Sequence, residues 1–292
     1  MTSSLDSAIR AASETALAHG IVPDRCDILQ NSSTLVLRLT ETLVARVVQD
    51  RDGPRQGTEW FARENVIAQH LTMRGAPVIP LHPDLPPGPH EHLGFPLNFW
   101  EFVTRVEDEP EPREIGHTLR QCHEIMRDFP EPLPTLAILT ESLAILKDRE
   151  LFPDSIQQML RDHLTTSIEA LSGCTHQALH GDAHMGNLMN TTRGLLWTDW
   201  EDTFSGPVEW DVASIIWNAR ILEEDHASAD AIVDAYRAAG GELDMTVLQH
   251  CMIGRAAVMT AWYPILYPEP NEERQARLQR RIAWLKQHAC RA

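Results

Sequence analysis

Apolar residues in the first part of the chain recur at helical spacing and then at strand spacing. Leu5, Ala8, Ile9, Ala12, Ala16 and Leu17 fall mostly three or four apart, which predicts an opening helix over residues 4–19 stopped at Gly20. Short runs rich in β-formers follow at 27–30, 35–39 and 43–48, separated by Asn31-Ser32-Ser33 and Thr40-Glu41-Thr42, as in an antiparallel meander. Helical periodicity returns over 57–73 through Trp60, Phe61, Val66, Ile67 and Leu71, with Gly75 as its stop. Residues 76–98, dense in Pro, His and Gly, have room only for brief strands, and Leu97 to Val103 is extended again.

Beyond the acidic, Pro-containing stretch Glu107 to Pro112 the pattern is mainly helical, with segments at 112–127, 136–147, 152–172, 209–222, 227–239, 245–263 and 272–288. One interval interrupts it. Between 177 and 200, β-like runs at 177–179, 188–190 and 195–197 surround Gly-containing turns, so the polar residues there sit at strand ends and loops, where catalytic groups concentrate. The expectation is an α+β protein with a sheet-bearing N-terminal domain over 1–103 and a helical domain over 104–292.

Composition narrows the function classes. Acidic residues outnumber basic ones by 42 to 25, a net charge of −17, which argues against nucleic acid because nothing would replace its condensed counterions. A cationic small molecule is compatible with that charge, and so is a surface kept acidic for solubility. No window approaches the roughly 18 consecutive apolar residues of a membrane span, and the start MTSSLDSAIRAASE has no basic-then-apolar signal, so no membrane partner and a cytoplasmic location are expected. Five widely scattered cysteines, Cys26, Cys122, Cys174, Cys251 and Cys290, read as reduced thiols without a role.

Candidate chemistry lies in His180-Gly181-Asp182-Ala183-His184-Met185-Gly186-Asn187, followed after an apolar hairpin by Asp199-Trp200-Glu201. An Asp five residues before an Asn, with a second Asp beyond a short hairpin, is the grammar of a phosphoryl-transfer loop. Asp182 suits a catalytic base that orients an acceptor hydroxyl and takes its proton, while Asn187 and Asp199 offer the hard oxygen ligands that Mg²⁺ prefers. Taken singly, the acids also read as capping or salt-bridged loop residues, and His180 and His184 as ordinary satisfied histidines. A second reading has His180, Asp182 and His184 hold a transition metal in a hydrolase, which leaves Asn187 and Asp199 unexplained.

These residues resemble the aminoglycoside phosphotransferase and choline kinase-like family, whose mark is H-G-D-x-x-x-x-N followed by an apolar run ending in D-W or D-F. His180, Gly181, Asp182, Asn187, Asp199 and Trp200 carry the likeness. The resemblance implies a bilobal protein-kinase-like fold, ATP as co-substrate and Mg²⁺ as cofactor. It further implies Asp182 as base, Asn187 and Asp199 as magnesium ligands, His180 as a structural histidine, and Asp211, in the similar stretch Gly206 to Ala213, as a support for the loop backbone.

The same resemblance asks the N-terminal part for nucleotide contacts. Arg46 stands where kinases carry their nucleotide-contacting lysine, with Glu64 as its partner. Ser32 and Ser33 occupy the phosphate-covering turn, without the usual glycines, and the hinge falls at 99–103, with Glu101 and Val103 at the adenine edge. The acceptor is expected to be a small, cationic, hydroxyl-bearing molecule such as an aminoglycoside-like antibiotic or related metabolite, with Glu201 and Asp202 lining its side of the cleft. Trp262, Tyr263 and Tyr267 read either as an aromatic wall for such a ligand or as a core-facing helix end. A kinase-like binding protein without catalysis is the third reading.

Overall fold

The computed structural model describes residues 4–49 and 58–288. Gly57, the expected start of the second helix, and Cys290 lie outside the described residues. The chain divides into two compact units, Met1–Glu109 with Met189–Glu201, and Pro110–Leu188 with Asp202–Ala292.

In the first unit α1 (Ser4–Ala18) precedes β1 (Asp27–Asn31), β2 (Thr34–Arg38) and β3 (Leu43–Val48), and α2 (Glu59–Met73) precedes β4 (His90–His92) and β5 (Phe95–Glu101). The strands form one antiparallel sheet in the order β1-β2-β3-β5-β4. Alternation along β2, β3 and β5 gives the sheet two apolar faces. Leu35 and Leu37, with Ala45, Val47, Leu97 and Phe99, cover one face, against which α1 lays Ala8, Ala11, Ala12 and Ala16. Small side chains at that helical spacing let the helix approach closely. The other face carries Val36, Val44 and Trp100, packed with Ala68 of α2, Ile79, Val103 and Leu196. Arg46, two residues after Val44, belongs to this second face and so points toward the helix that carries Glu64.

The second unit contains α3 (Pro112–Met126), α4 (Ala137–Asp148), α5 (Asp154–Ser172), the strand pair β6 (Gln177–Ala178) and β9 (Ser205–Gly206), α6 (Glu209–Asn218), α7 (His226–Ala238), α8 (Met245–Ala261), α9 (Tyr263–Leu266) and α10 (Glu272–Gln287). Helix α8 packs on α4, α5 and α6 and buries residues around most of its circumference, as a central helix must. Arg255 is the one Asp, Glu, Lys or Arg it carries.

Between the strand pair lies the hairpin β7 (Leu188–Thr191) and β8 (Gly194–Trp197). Its residues from Met189 onward join the first unit through backbone bonds: Trp197 N–H donates to Pro77 at 2.8 Å, Ile79 N–H to Trp197 at 3.0 Å, and Val106 N–H to Asn190 at 2.9 Å. The division before α3 falls at Glu109 and Pro110, inside the acidic stretch. Among the described residues no helix is long and apolar enough to cross a membrane.

Candidate active site

The loop after β6 is held by a carboxylate from another element. Asp211, in the first turn of α6 and fully buried, accepts the backbone N–H of His180 at 2.7 Å and of Gly181 at 2.9 Å. It also lies 3.0 Å from Nε2 of His123, whose Nδ1 is 2.7 Å from the Tyr236 hydroxyl. Trp210 Nε1 donates to the Gly181 carbonyl at 2.8 Å, so both peptide groups of that glycine are tied. Gly181 has φ +86, and a Cβ there would meet the Asp202 carbonyl oxygen at 2.1 Å. No other residue fits this backbone path.

Pinned this way, the loop presents Asp182 next to Asn187. The Asn187 amide nitrogen donates to the Asp182 carbonyl at 3.0 Å and lies 3.4 Å from its Oδ2, which turns the amide oxygen away from these partners. Oδ1 of Asp182 is bound by Nη2 of Arg255, and Oδ2 lies 3.3 Å from Nε2 of His184. His184 Nδ1 in turn accepts the Gly186 N–H at 2.9 Å. Burial works to raise the Asp182 carboxyl, but Arg255 and His184 outweigh it and hold it well below the usual carboxylate range. His180 is fully buried, and its Nδ1 is 3.4 Å from the Asp182 N–H.

The first unit carries a second charged cluster. Arg46 Nη1 lies 2.8 Å from both oxygens of Glu64, while Nη2 lies 3.0 Å from Oδ1 of Asp199 and 2.9 Å from Oε2 of Glu201. One guanidinium thus serves three carboxylates. Burial pushes Glu64 up to about 8, against the pull of Arg46 and with the help of the nearby Asp199 and Glu201 charges. Burial works to lower Arg46, and Asp199, Glu64 and Glu201 together raise it above the ordinary arginine range. Asp199 sits at φ +66, a left-handed conformation that Asp tolerates better than most side chains, and it is the most exposed of the three acids.

The remaining expected site residues fall as follows. Ser32 and Ser33 form the exposed turn between β1 and β2, where Ser32 N–H donates to the Thr34 carbonyl at 3.1 Å and Gln49 N–H to the Ser33 carbonyl at 2.9 Å. Glu101 donates its N–H to Pro80 at 3.0 Å and pairs its carboxylate with Arg193 at 3.0 Å. Phe102 N–H is taken by Thr42 at 2.7 Å, and the buried Val103 lines the apolar cluster with Val44, Ile79 and Leu196. Glu201, expected on the acceptor side, is the third carboxylate around Arg46. Asp202 opens the next stretch of the second unit, its carbonyl closing over Gly181.

Sequence reading did not single out Arg255. A lone arginine inside the apolar run of α8 was its available signal, but its partner lies 73 residues away in the chain. The aromatic group at the end of α8 is engaged by the chain's own cations: Arg281 lies 4.9 Å from the Tyr263 ring centroid, and Arg274 4.2 Å from that of Tyr267. Among the described residues no group of three or more His, Cys, Asp and Glu side chains is arranged to hold a metal on its own.

The profile of the phosphotransferase enzyme family (APH) matches residues 15–246. No curated protein matches the chain. Among solved structures, the amicoumacin kinase hAmiN, in complex with AMP-PNP, Ca²⁺ and Ami, superposes with a TM-score of 0.73 at 14% identity, covering 96% of this chain and 93% of that one. Choline kinase LicA from Streptococcus pneumoniae gives 0.68 at 14% identity, with 95% and 98% covered. A choline/ethanolamine kinase family protein from Mesorhizobium loti gives 0.65 at 17%, with 98% and 94% covered. At such identities these likenesses show the fold, a bilobal α+β kinase-like fold with an antiparallel-sheet unit and a mainly helical unit. With the family profile spanning most of its length, the chain belongs to the phosphotransferase enzyme family and is a small-molecule phosphotransferase.

Proposed function

We propose that the chain transfers the γ-phosphoryl group of ATP to a hydroxyl of a small, amine-bearing acceptor, with Asp182 as the base. The observation that carries this reading is the clamped loop: a buried Asp211 fixes the backbone on which Asp182 stands beside Asn187. Phosphoryl transfer needs little covalent help from a protein and much positioning, so a carboxylate on an immobile backbone is the apt device.

In this reading the acceptor hydroxyl donates to Oδ2 of Asp182, the carboxylate oxygen not bound by Arg255. The hydroxyl oxygen forms a bond to the γ-phosphorus, the bond from that phosphorus to the bridging oxygen of ADP breaks, and the hydroxyl proton passes to Asp182. A carboxylate held low by Arg255 is a weak base, so its chief work is orientation of the hydroxyl in a loose transition state.

Asn187 and Asp199 fit a divalent cation. The amide nitrogen of Asn187 is spent on Asp182, which leaves its oxygen as a donor, and Asp199 commits one carboxylate oxygen to Arg46 while remaining partly exposed. Three carboxylates against one guanidinium leave the Arg46 cluster with excess negative charge, which also favours a cation. Bound Mg²⁺ would supply charge neutralisation on the nucleotide phosphates. Arg46, oriented by Glu64, would contact phosphate oxygens, and the apolar surface of Val36, Val44, Val103 and Leu196 would receive the adenine ring beside the backbone of Glu101 and Val103. Ser32 and Ser33 would cover the phosphates. Glu201 and Asp202 would line the acceptor side.

The amine-bearing acceptor is favoured by the net charge of −17 and by likeness to kinases whose names specify amicoumacin and choline. The test is ATP consumption against a panel of hydroxylated amines, with Asp182→Asn as the control. That variant keeps an acceptor for Arg255, so it should fold and bind MgATP while losing turnover by at least roughly a hundredfold. Full turnover in Asp182→Asn would remove Asp182 from the mechanism, and failure of the wild type to turn over any acceptor while still binding MgATP would favour a silent binding module.

A further inference from the structure

Helix α10 concentrates positive charge in an otherwise acidic chain, with Arg274, Arg277, Arg280 and Arg281 inside eight residues. Three of them have partners. Arg274 lies over Tyr267, Arg277 Nη2 donates to Asn218 Oδ1 at 2.8 Å, and Arg280 Nη1 donates to the Leu222 carbonyl at 3.1 Å.

Arg281 differs. It is 5% exposed, and its Nε and Nη2 are both buried without a hydrogen-bond partner among the described residues. Its guanidinium carbon lies 4.9 Å from the Tyr263 ring centroid and 5.9 Å from that of Trp217. Rings at these distances attract a cation through their faces but satisfy none of its in-plane N–H donors. The Tyr263 hydroxyl is likewise buried and without a partner among the described residues. Burial pulls the arginine down to about 10, opposed by Tyr263 and Tyr267 and reinforced by Arg277. Glu223 lies 3.9 Å from Arg277 and is half exposed.

A buried cation with unmet donors is unfavourable unless something completes it. Nε and Nη2 form the side-on edge of a guanidinium, the edge that grips two oxygens of a carboxylate or phosphoryl group in parallel. We propose that Arg281 and the Tyr263 hydroxyl, with Arg277 at the rim, form a binding site for a small oxyanion of the phosphoryl or carboxylate type. The site uses none of the residues assigned to phosphoryl transfer and stands or falls independently of that assignment.

The experiment is calorimetric titration and thermal unfolding of the full chain with inorganic phosphate, acetate and glucose 6-phosphate, at ionic strength held constant with chloride. Phosphate should bind and raise the unfolding midpoint, and Arg281→Met should abolish both effects. Tyr263→Phe should weaken binding roughly fivefold, the loss of one hydrogen bond. Without added anion Arg281→Met should be at least as stable as the wild type, because it removes an uncompensated charge; a purely structural arginine would give the opposite sign. Tighter binding of glucose 6-phosphate than of phosphate would assign the group to a phosphorylated metabolite, and equal binding to the free anion; either supports the site. Asp182→Asn should keep the response, which separates this site from the catalytic loop. The proposal is overturned if none of the three anions binds the wild type, or if Arg281→Met retains the phosphate response.

Discussion

Both carboxylate oxygens of Glu64 lie 2.8 Å from a single nitrogen of Arg46, leaving the other terminal nitrogen for Asp199 and Glu201. A guanidinium presents its donors as a fixed planar fork, which lets it hold acids on two sides at once. Arg46→Met, which leaves buried Glu64 without its partner and Asp199 and Glu201 without a cation, is expected to cost about 3–5 kcal/mol in urea unfolding above about pH 8, where Glu64 is ionised. Arg46→Lys keeps the charge but not the fork, and should fall between the two.

Glu64 makes stability depend on pH in a defined direction. Its folded value of about 8 lies above the unfolded value of about 4.3, so the folded protein binds more protons between them. The resulting stability is fully present below about pH 4 and is lost as pH rises through about 8. Urea unfolding from pH 5 to 9 should show this decline, and Glu64→Gln should flatten it; an unchanged slope in the variant would assign the decline to other groups.

Arg255 fixes the direction of the Asp182 carboxylate from inside α8. Arg255→Met is expected to lower turnover by up to about a hundredfold through misplacement of the base, while the KM for ATP stays the same. Arg255→Lys should recover part of the loss. A variant that loses ATP affinity and turnover together would point to general unfolding, which circular dichroism would reveal.

Asp211 makes three hydrogen bonds from a fully buried position, two to the loop backbone and one to His123. Asp211→Ala leaves two backbone N–H groups and His123 without their acceptor, at an expected cost of about 3–5 kcal/mol. Tyr236→Phe removes only the outermost link of the same chain and should cost about 1 kcal/mol. Denaturant midpoints of the two variants check the ordering.

Most helices and strands were legible because their apolar residues repeat at 3.6 or 2, and the loop from His180 to Asn187 was legible because its spacing is local. Partners distant in sequence were not. Arg255 looks like any charge in a helix until Asp182 is seen against it, and the run of arginines in α10 carries no local mark that Arg281 is buried. Arg46 and Glu64 were paired only through the family resemblance, and the two-faced sheet supplies the physical reason: strand alternation puts the arginine on the face shared with Val44, which the following helix covers. Glu201 had no comparable local cue, since its direction depends on the left-handed turn at Asp199.

Gly181 has a consequence for how this sequence can drift. Its backbone has no room for a side chain, and the carboxylate of Asp211 is committed to the same peptide, so both positions are constrained by folding alone. Asp182 bears no such constraint once Arg255 has another acceptor. A descendant released from catalysis would therefore keep the glycine and the buried aspartate while its loop acid varied, and that asymmetry would mark an extinct enzyme that still folds.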